Sequence, residues 1–389
     1  EIRYTSQKKN RYGENRLRAD GLLEYPCRTL ASLFSPAIFY GEKLSSIRKI
    51  IKQNIQEEFA RNSLIRTIPQ QGRNNARLVL TLMKILDGKP VENLTGLYVP
   101  SNALDVMTDI AIASPAVCAY RQSGNEEDAQ MVAKAVVSVF NKPESAAVID
   151  LMYNKKNDDN YYESVLDYCA IGNLQAVLDE YLYMAPENKK LGQVVTDAII
   201  GTSNLSIDTT DSLGKEEKKQ LMRCHFAIPF IDKTVTDKSV TRTTNIRKAF
   251  NSPFRPFLLS TTSIGQEGLD FHWYARKIVH WNLPSNPVDL EQREGRINRF
   301  KCLAIRRNVV KLYASETYHT WDELFSMAYS NLKGMHSDIV PYWCLPVAEL
   351  TEEQRAKLEY IERIVPLYPL SRDRYKYERL IKVLALYRM

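Results

Sequence analysis

The sequence predicts an α/β fold: a helix-rich N-terminal region followed by a parallel-sheet lobe and a helical C-terminal tail. Three observations support this. Apolar residues recur at helical spacing through most of 21–200. Across 256–314, short apolar runs alternate with turns and polar helical segments, the pattern of a parallel sheet with helices on its faces. After residue 347 the helical spacing returns. A length of 389 residues accommodates about two or three domains. The pattern divides the chain into a mainly helical accessory or insertion region at 1–200, the lobe at 201–330 and the tail at 331–389.

Residues 1–20 are polar and basic and read as a solvated arm, with a nucleic-acid contact as the alternative. The first helix follows Gly41-Glu42, and its Leu44, Ile47, Ile50, Ile51 and Ile55 recur at helical spacing. The second, N-N-A-R-L-V-L-T-L-M-K-I-L-D-G, ends in a glycine stop signal. S-N-A-L-D-V-M-T-D-I-A-I-A, E-E-D-A-Q-M-V-A-K-A-V-V-S-V-F, Y-Y-E-S-V-L-D-Y-C-A and G-N-L-Q-A-V-L-D-E-Y-L-Y-M share that character. No internal repeat of fixed period is visible, and a bundle of short helices fits.

Residues 202–222 and 232–245, rich in Thr, Ser, Asp and Lys, read as loops around a short strand, C-H-F-A-I-P-F. R-T-T-N-I-R-K-A-F-N-S-P reads as a helix stopped by Asn-Ser-Pro. The lobe then predicts strands at 256–261, 277–283 and 308–314, and a helix over 287–299 started by Asn286-Pro287. In the tail, Thr351 and Gln354 make a capping box before 352–363, and Ser371 caps a helix ending near Tyr387.

At 44% hydrophobic and 25% charged residues, the composition is ordinary for a soluble globular chain. A net charge of +7 permits nucleic acid without indicating it. Cys27, Cys118, Cys169, Cys224, Cys302 and Cys344 make no C-x-x-C pair and no zinc spacing, so free buried thiols in a reducing cytosol, and no metal site, are expected. No signal peptide or membrane-length apolar run is visible, so a cytoplasmic protein with no membrane partner is expected. The chain begins at Glu1 rather than Met and reads as a fragment.

The most informative stretch is 257–300: F-L-L-S-T-T-S-I-G-Q-E-G-L-D-F, then K-I-V-H-W-N-L-P-S-N-P-V-D-L-E-Q-R-E-G-R-I-N-R-F. Arg296 and Arg299 are three apart, so on a helix they share one face. Phosphoryl transfer needs positive charge on the γ-phosphate as charge develops, and an arginine from a neighbouring lobe contributes roughly 10³–10⁵ in rate. Arginine suits the task because its planar fork holds two phosphate oxygens and keeps its proton. Taken alone, this spacing is equally that of an ordinary surface helix. Its position after a strand, a Pro-Asn turn and a Ser/Thr/Gly-rich loop sets it apart.

The Q-x-x-G-R-x-x-R of Gln292, Gly295, Arg296 and Arg299 resembles motif VI of superfamily 2 helicases and translocases. S-T-T-S-I-G-Q-E-G-L-D resembles their motif V, and the order and spacing agree. The resemblance is to the Swi/Snf-type branch, particularly bacterial polymerase-associated ATPases and large prokaryotic helicase-related proteins. It implies that 201–330 is a RecA-like second lobe. It implies catalytic roles for Arg296, Arg299 and Gln292, all near the phosphates of a nucleotide. Gly268, Asp270 and Gly295 would serve nucleotide binding, Asp270 by reaching the ribose and Gly295 by allowing close backbone packing. Thr261, Thr262, Ser263 and Gly265 would meet phosphates of a nucleic-acid strand, although the same Ser/Thr chemistry also builds simple turns. Glu267 departs from the small residue common in many Swi/Snf proteins. Trp281 reads as a core residue, with a base-stacking platform as the alternative.

The phosphate loop G-x-x-x-x-G-K-[ST] is absent from the 389 residues. Asp87-Gly88-Lys89-Pro90 lacks its spacing, and Leu178-Asp179-Glu180-Tyr181 sits in a helical pattern, not at a strand end. Motif IV is not recognisable. The resemblance therefore implies ATP and Mg²⁺ held mainly by a first RecA-like lobe, upstream or on a partner chain. It also implies nucleic acid as substrate, with DNA favoured, a larger prokaryotic complex and a part in phage defence. The alternative is a non-catalytic nucleic-acid-binding scaffold with a degenerate lobe. A metal-dependent nuclease would need an Asp/Glu/His cluster that the sequence does not offer.

Overall fold

A computed structural model describes residues 9–10, 13–14, 22–26, 43–61, 75–89, 91, 102–153, 161–185, 190–199, 203–207, 220–224, 247–254, 258–261, 270–313, 320–330 and 351–388. They are mostly helical, with short strands. The chain divides into two compact units, Glu1–Thr196 and Asp197–Met389.

The first unit carries a two-residue hairpin, β1 (Lys9–Asn10) with β2 (Gly13–Glu14), and then helices. These are α1 (Lys43–Arg61), α2 (Asn75–Leu86), α3 (Ala103–Ala113), α4 (Pro115–Ser123), α5 (Glu126–Phe140), α6 (Pro143–Tyr153), α7 (Tyr161–Ala170), α8 (Asn173–Met184) and the start of α9 (Leu191–Ile199). Met107, Ile110, Ile112, Val117, Val165 and Leu178 are at most 1% exposed and form its core. Among the described residues, six of the nine helices follow the apolar spacing of the sequence. Helices α4, α6 and α9 were not foreseen, each opening near a proline or glycine that reads locally as a break.

Ala103–Ser123 is long and apolar enough to cross a membrane, but 78% of that window is buried inside the unit. The segment is also interrupted. Ser114 is extended at ψ 157°, as a residue before proline prefers, and its Oγ accepts from Val117 N at 3.2 Å. Pro115 occupies the first position of α4, where a missing N–H costs nothing. Gly124 stops α4 in the left-handed conformation at φ 61°. Arg48 reaches Asp109 at 2.7 Å and fastens α1 to α3. Burial nonetheless raises the Asp109 carboxyl to about 6, outweighing the lowering by Arg48.

The second unit departs further from expectation. Residues 202–222, read as loop, contain β3 (Ser203–Ile207) and β4 (Gln220–Cys224), which pair antiparallel. The strand expected at C-H-F-A-I-P-F begins with Cys224 at the end of β4, and the rest lies outside the described residues, as does 232–245. Residues 258–261 carry no strand, and Leu258 is 78% exposed, uncovered by any sheet among the described residues. The strand expected at 277–283 shortens to β5 (Lys277–Val279).

The helix expected over 287–299 is α10 (Pro287–Gly295), capped as foreseen by Asn286, whose Oδ1 accepts from Val288 N at 3.0 Å. The strand expected at 308–314 is helix α11 (Leu303–Tyr313). Val309-Val310 favours a strand locally, but the buried Leu303, Ile305, Arg306 and Val309 recur at helical spacing, and packing overrides propensity. Helix α12 (Trp321–Ser330) follows.

The tail is also redistributed. The helix expected at 352–363 is only α13 (Glu352–Ala356), and Glu362–Ile364 forms strand β6. β6 pairs parallel with β5 in register Lys277↔Glu362 to Val279↔Ile364. The expected parallel sheet is, among the described residues, this two-stranded ribbon, with its second strand supplied by the tail. Helix α14 (Asp373–Arg388) completes the chain, and Ser371 Oγ accepts from Asp373 N at 3.4 Å.

Leu290 of α10 is fully buried against Leu283 and against Leu380 and Leu384 of α14. Replacing Leu290 by Ala should therefore cost about 2–5 kcal/mol of stability in chemical denaturation. Val288→Ala, at a side chain 43% exposed on the same helix, should cost far less.

Candidate active site

The site is built from two turns, 270–274 and 296–303, clasped to each other. Phe271 N donates to Arg296 O at 2.9 Å, and Leu303 N donates to His272 O at 3.1 Å. Phe271 is buried and packs edge-on against Phe250, with centroids 5.6 Å apart. Asn251, the residue that stops the preceding helical turn, adds a third tie. Its Nδ2 donates to Asp270 O at 2.7 Å, and its Oδ1 accepts from Trp273 N at 3.4 Å.

Arg306 of α11 closes the clasp from within. Its Nη1 donates to Lys301 O at 2.6 Å and its Nη2 to Trp273 O at 2.5 Å. The guanidinium lies 5.2 Å from the centre of the Tyr274 ring. Arg306 is completely buried, and Lys301 takes a left-handed conformation at φ 53° to present its carbonyl.

The residues singled out in the sequence fall as follows. Helix α10 ends at Gly295. The N–H groups of Arg296 and Ile297 reach back three residues, to Arg293 O at 3.3 Å and Glu294 O at 3.1 Å. This tightened last turn puts Arg296 and Arg299 beyond the helix and not, as expected, on one face of it. Arg299 Nε sits 3.2 Å from Asp270 Oδ1, with both side chains about half exposed. Asp270 and Arg299 are thus brought together from the two motif-like stretches. Arg296 is half-buried, and its Nε is buried with no hydrogen-bond partner among the described residues. Gln292 is exposed on α10, and Thr261 is exposed outside regular structure. A Cβ on Gly295 would meet nothing within 4 Å, so the close packing expected there is not what requires a glycine. Thr262, Ser263, Gly265, Gly268 and Glu267 lie outside the described residues.

Trp281, expected in the core, is 68% exposed. It follows β5 by two residues, past the part of the predicted strand that would have buried it.

Sequence reasoning missed a second layer behind α10. Glu294 accepts from two of the Arg363 nitrogens, Nη2 at 2.5 Å and Nε, and lies 3.2 Å from His280 Nε2. Burial pushes the Glu294 carboxyl up, but the bonds from His280 and Arg363 outweigh it and hold it below the usual range. His272 and Arg306 were also missed. Nothing in the sequence around either residue marks it, and only the fold shows what they meet.

Residues 198–301 match the helicase conserved C-terminal domain. The match covers the 270–274 turn and the 296–303 turn as far as Lys301, and it makes this stretch similar to the C-terminal lobe of superfamily 1 and 2 helicases, a RecA-like fold. No curated protein and no solved structure matches the chain.

His272 stands between these charges. Burial of its ring lowers its pKa to about 4, with Arg306 and Arg299 adding to the effect and Asp270 opposing it. The ordinary value is 6.5, so below it the unfolded chain takes up a proton that the folded chain refuses until about pH 4. Stability from this group is therefore present above that window and is lost as the pH falls through it. The thermal midpoint should drop more between pH 7 and 5 in the parent than in His272→Gln. Equal drops would show that His272 titrates alike in both states.

Proposed function

We propose that this chain is the C-terminal half of an ATP-dependent nucleic-acid helicase or translocase of the Swi/Snf-like branch. Arg296 and Arg299 act as arginine fingers on a nucleotide whose triphosphate and Mg²⁺ are held mainly by a first RecA-like lobe. The observation that carries the reading is the helicase C-terminal domain match over 198–301, the stretch in which Asp270 and Arg299 meet. Gln292 and Gly295 border the same phosphates, Asp270 and Gly268 serve the nucleotide, and Thr261, Thr262, Ser263 and Gly265 hold strand phosphates. The strand is DNA, and the setting is cytoplasmic, within a larger prokaryotic assembly serving phage defence.

The proposed chemistry is electrostatic. A guanidinium placed against the γ-phosphate neutralises charge as it develops and needs no proton transfer. The half-buried Arg296 suits this, because its Nε is already desolvated without a hydrogen-bond partner among the described residues. Arg299 must first leave Asp270. That engagement favours a second reading, a non-catalytic scaffold in which Arg299 serves only its own lobe.

Kinetics of the complete enzyme separate the two. Arg296→Ala or Arg299→Ala should lower ATP turnover at least about a hundredfold, at the cautious end for an arginine finger. Nucleic-acid affinity without nucleotide should change little. The 389-residue chain alone, lacking a phosphate loop, should hydrolyse ATP negligibly. Near-normal turnover in both variants would leave the scaffold reading.

A further inference from the structure

We propose that Trp281 and Tyr368 form a stacking site for the unpaired bases of a single-stranded nucleic acid, at the carboxyl ends of β5 and β6. The inference rests on the helicase-lobe reading and adds a contact separate from the 261–265 loop.

The geometry comes from the parallel ribbon. Val279 pairs with Ile364, so both chains leave the ribbon at the same end. Trp281 follows one strand and Tyr368 the other, and their rings meet edge to face, with centroids 5.9 Å apart and planes at 71°. Neither is buried: Trp281 is 68% exposed and Tyr368 42%. Large aromatic side chains of this kind usually contribute to a core by burying about 150–250 Å² each. Here that surface faces water, where a flat apolar ligand would cover it. In open parallel sheets, ligands bind outside the carboxyl ends of the strands.

The charge of the tail that carries Tyr368 selects the ligand. From Arg363 to Arg388 the chain carries seven Lys or Arg and two acidic residues. Lys376 Nζ donates to Leu283 O at 2.7 Å, two residues after Trp281, Arg363 is held by Glu294, and Arg372, Arg379 and Lys382 are exposed on the same segment. Aromatic faces beside positive charge, without a donor pattern that reads base edges, suit a polyanion of stackable rings. A duplex keeps its base faces inside its own stack, so an unpaired strand is the form that fits.

The test uses the 389-residue chain and fluorescence anisotropy with three probes: a labelled oligothymidylate, an abasic strand of equal length, and a duplex. The parent should prefer oligothymidylate to the abasic strand by about five- to a hundredfold, the range for stacking one base. Trp281→Ala should abolish that preference and leave abasic binding unchanged. Trp281→Phe should keep most of it. The salt dependence should be the same in all three proteins, because no phosphate contact is removed. Parent-like preference in Trp281→Ala would overturn the stacking site and leave the helicase-lobe reading standing, as would equal loss on both strands. A parent that binds no nucleic acid would overturn both.

Discussion

One buried guanidinium holds the candidate site together. Arg306 has no exposed surface, and a charge taken out of water costs several kcal/mol unless its hydrogen bonds are replaced. The carbonyls of Lys301 and Trp273 and the face of Tyr274 supply that replacement. The dependence runs both ways. The Lys301 turn is held in a left-handed conformation by an arginine that cannot be satisfied elsewhere. A lysine would bring a compact point charge in place of a fork, and so could not span both carbonyls with the same geometry. Because Arg306 fixes 273 to 301, the flanking pairs Phe271–Arg296 and Leu303–His272 fall into register, and Asp270 and Arg299 stand at the outer edge of the same clasp.

The tail belongs to this architecture. Asn308 exchanges two hydrogen bonds with the Glu359 backbone, at 2.8 and 2.7 Å, and Glu359 also meets Arg276 at 2.8 Å and Lys311 at 3.0 Å. The amide pair is half-buried, whereas the long exposed side chains around it contribute little individually. Further along, Arg363 reaches Glu294, one residue before Gly295, and the leucines of α14 cover Leu290. Helix α10 is therefore positioned from the tail side as firmly as from the turns, and the residues that follow it inherit that placement.

Six helices of the first unit were legible in the sequence because each is amphipathic over a dozen or so residues and needs only its local period to be recognised. The cap at Asn286-Pro287 and the cap at Ser371 were legible for a similar reason, since each depends on neighbours within three positions. The parallel ribbon was not. β6 has only three residues and lies 85 positions from its partner, so no local pattern announces it. Helix α11 was misread because Val309-Val310 was weighed without the buried Arg306 that fixes its helical face. In the site, Asp270 and Arg299 stood out by the resemblance of their stretches to motifs V and VI, and the structure brings them together. His272, Glu294 and Arg306 did not stand out, because much of their importance lies in partners as far as 69 positions away. The exposure of Trp281 was illegible for the same reason: it depends on where β5 ends.

The Asp270–Arg299 pair has a consequence for the proposed chemistry. Both side chains are about half exposed, and an ion pair of that kind is worth at most about 1 kcal/mol. A phosphate oxygen pair offers Arg299 a bidentate, charge-assisted alternative that is stronger. The Arg299 backbone does not move in such an exchange, because its carbonyl already accepts from Cys302 N at 3.1 Å and the turn behind it is tied to Arg306. Only the side chain has to rotate. On the proposed reading, Asp270 thus holds Arg299 extended and ready while the nucleotide is absent. It then becomes available to a ribose hydroxyl once the phosphates have drawn the guanidinium away. The rigid clasp and the weak pair are complementary: the first sets where the arginine is anchored, and the second lets it go at small cost.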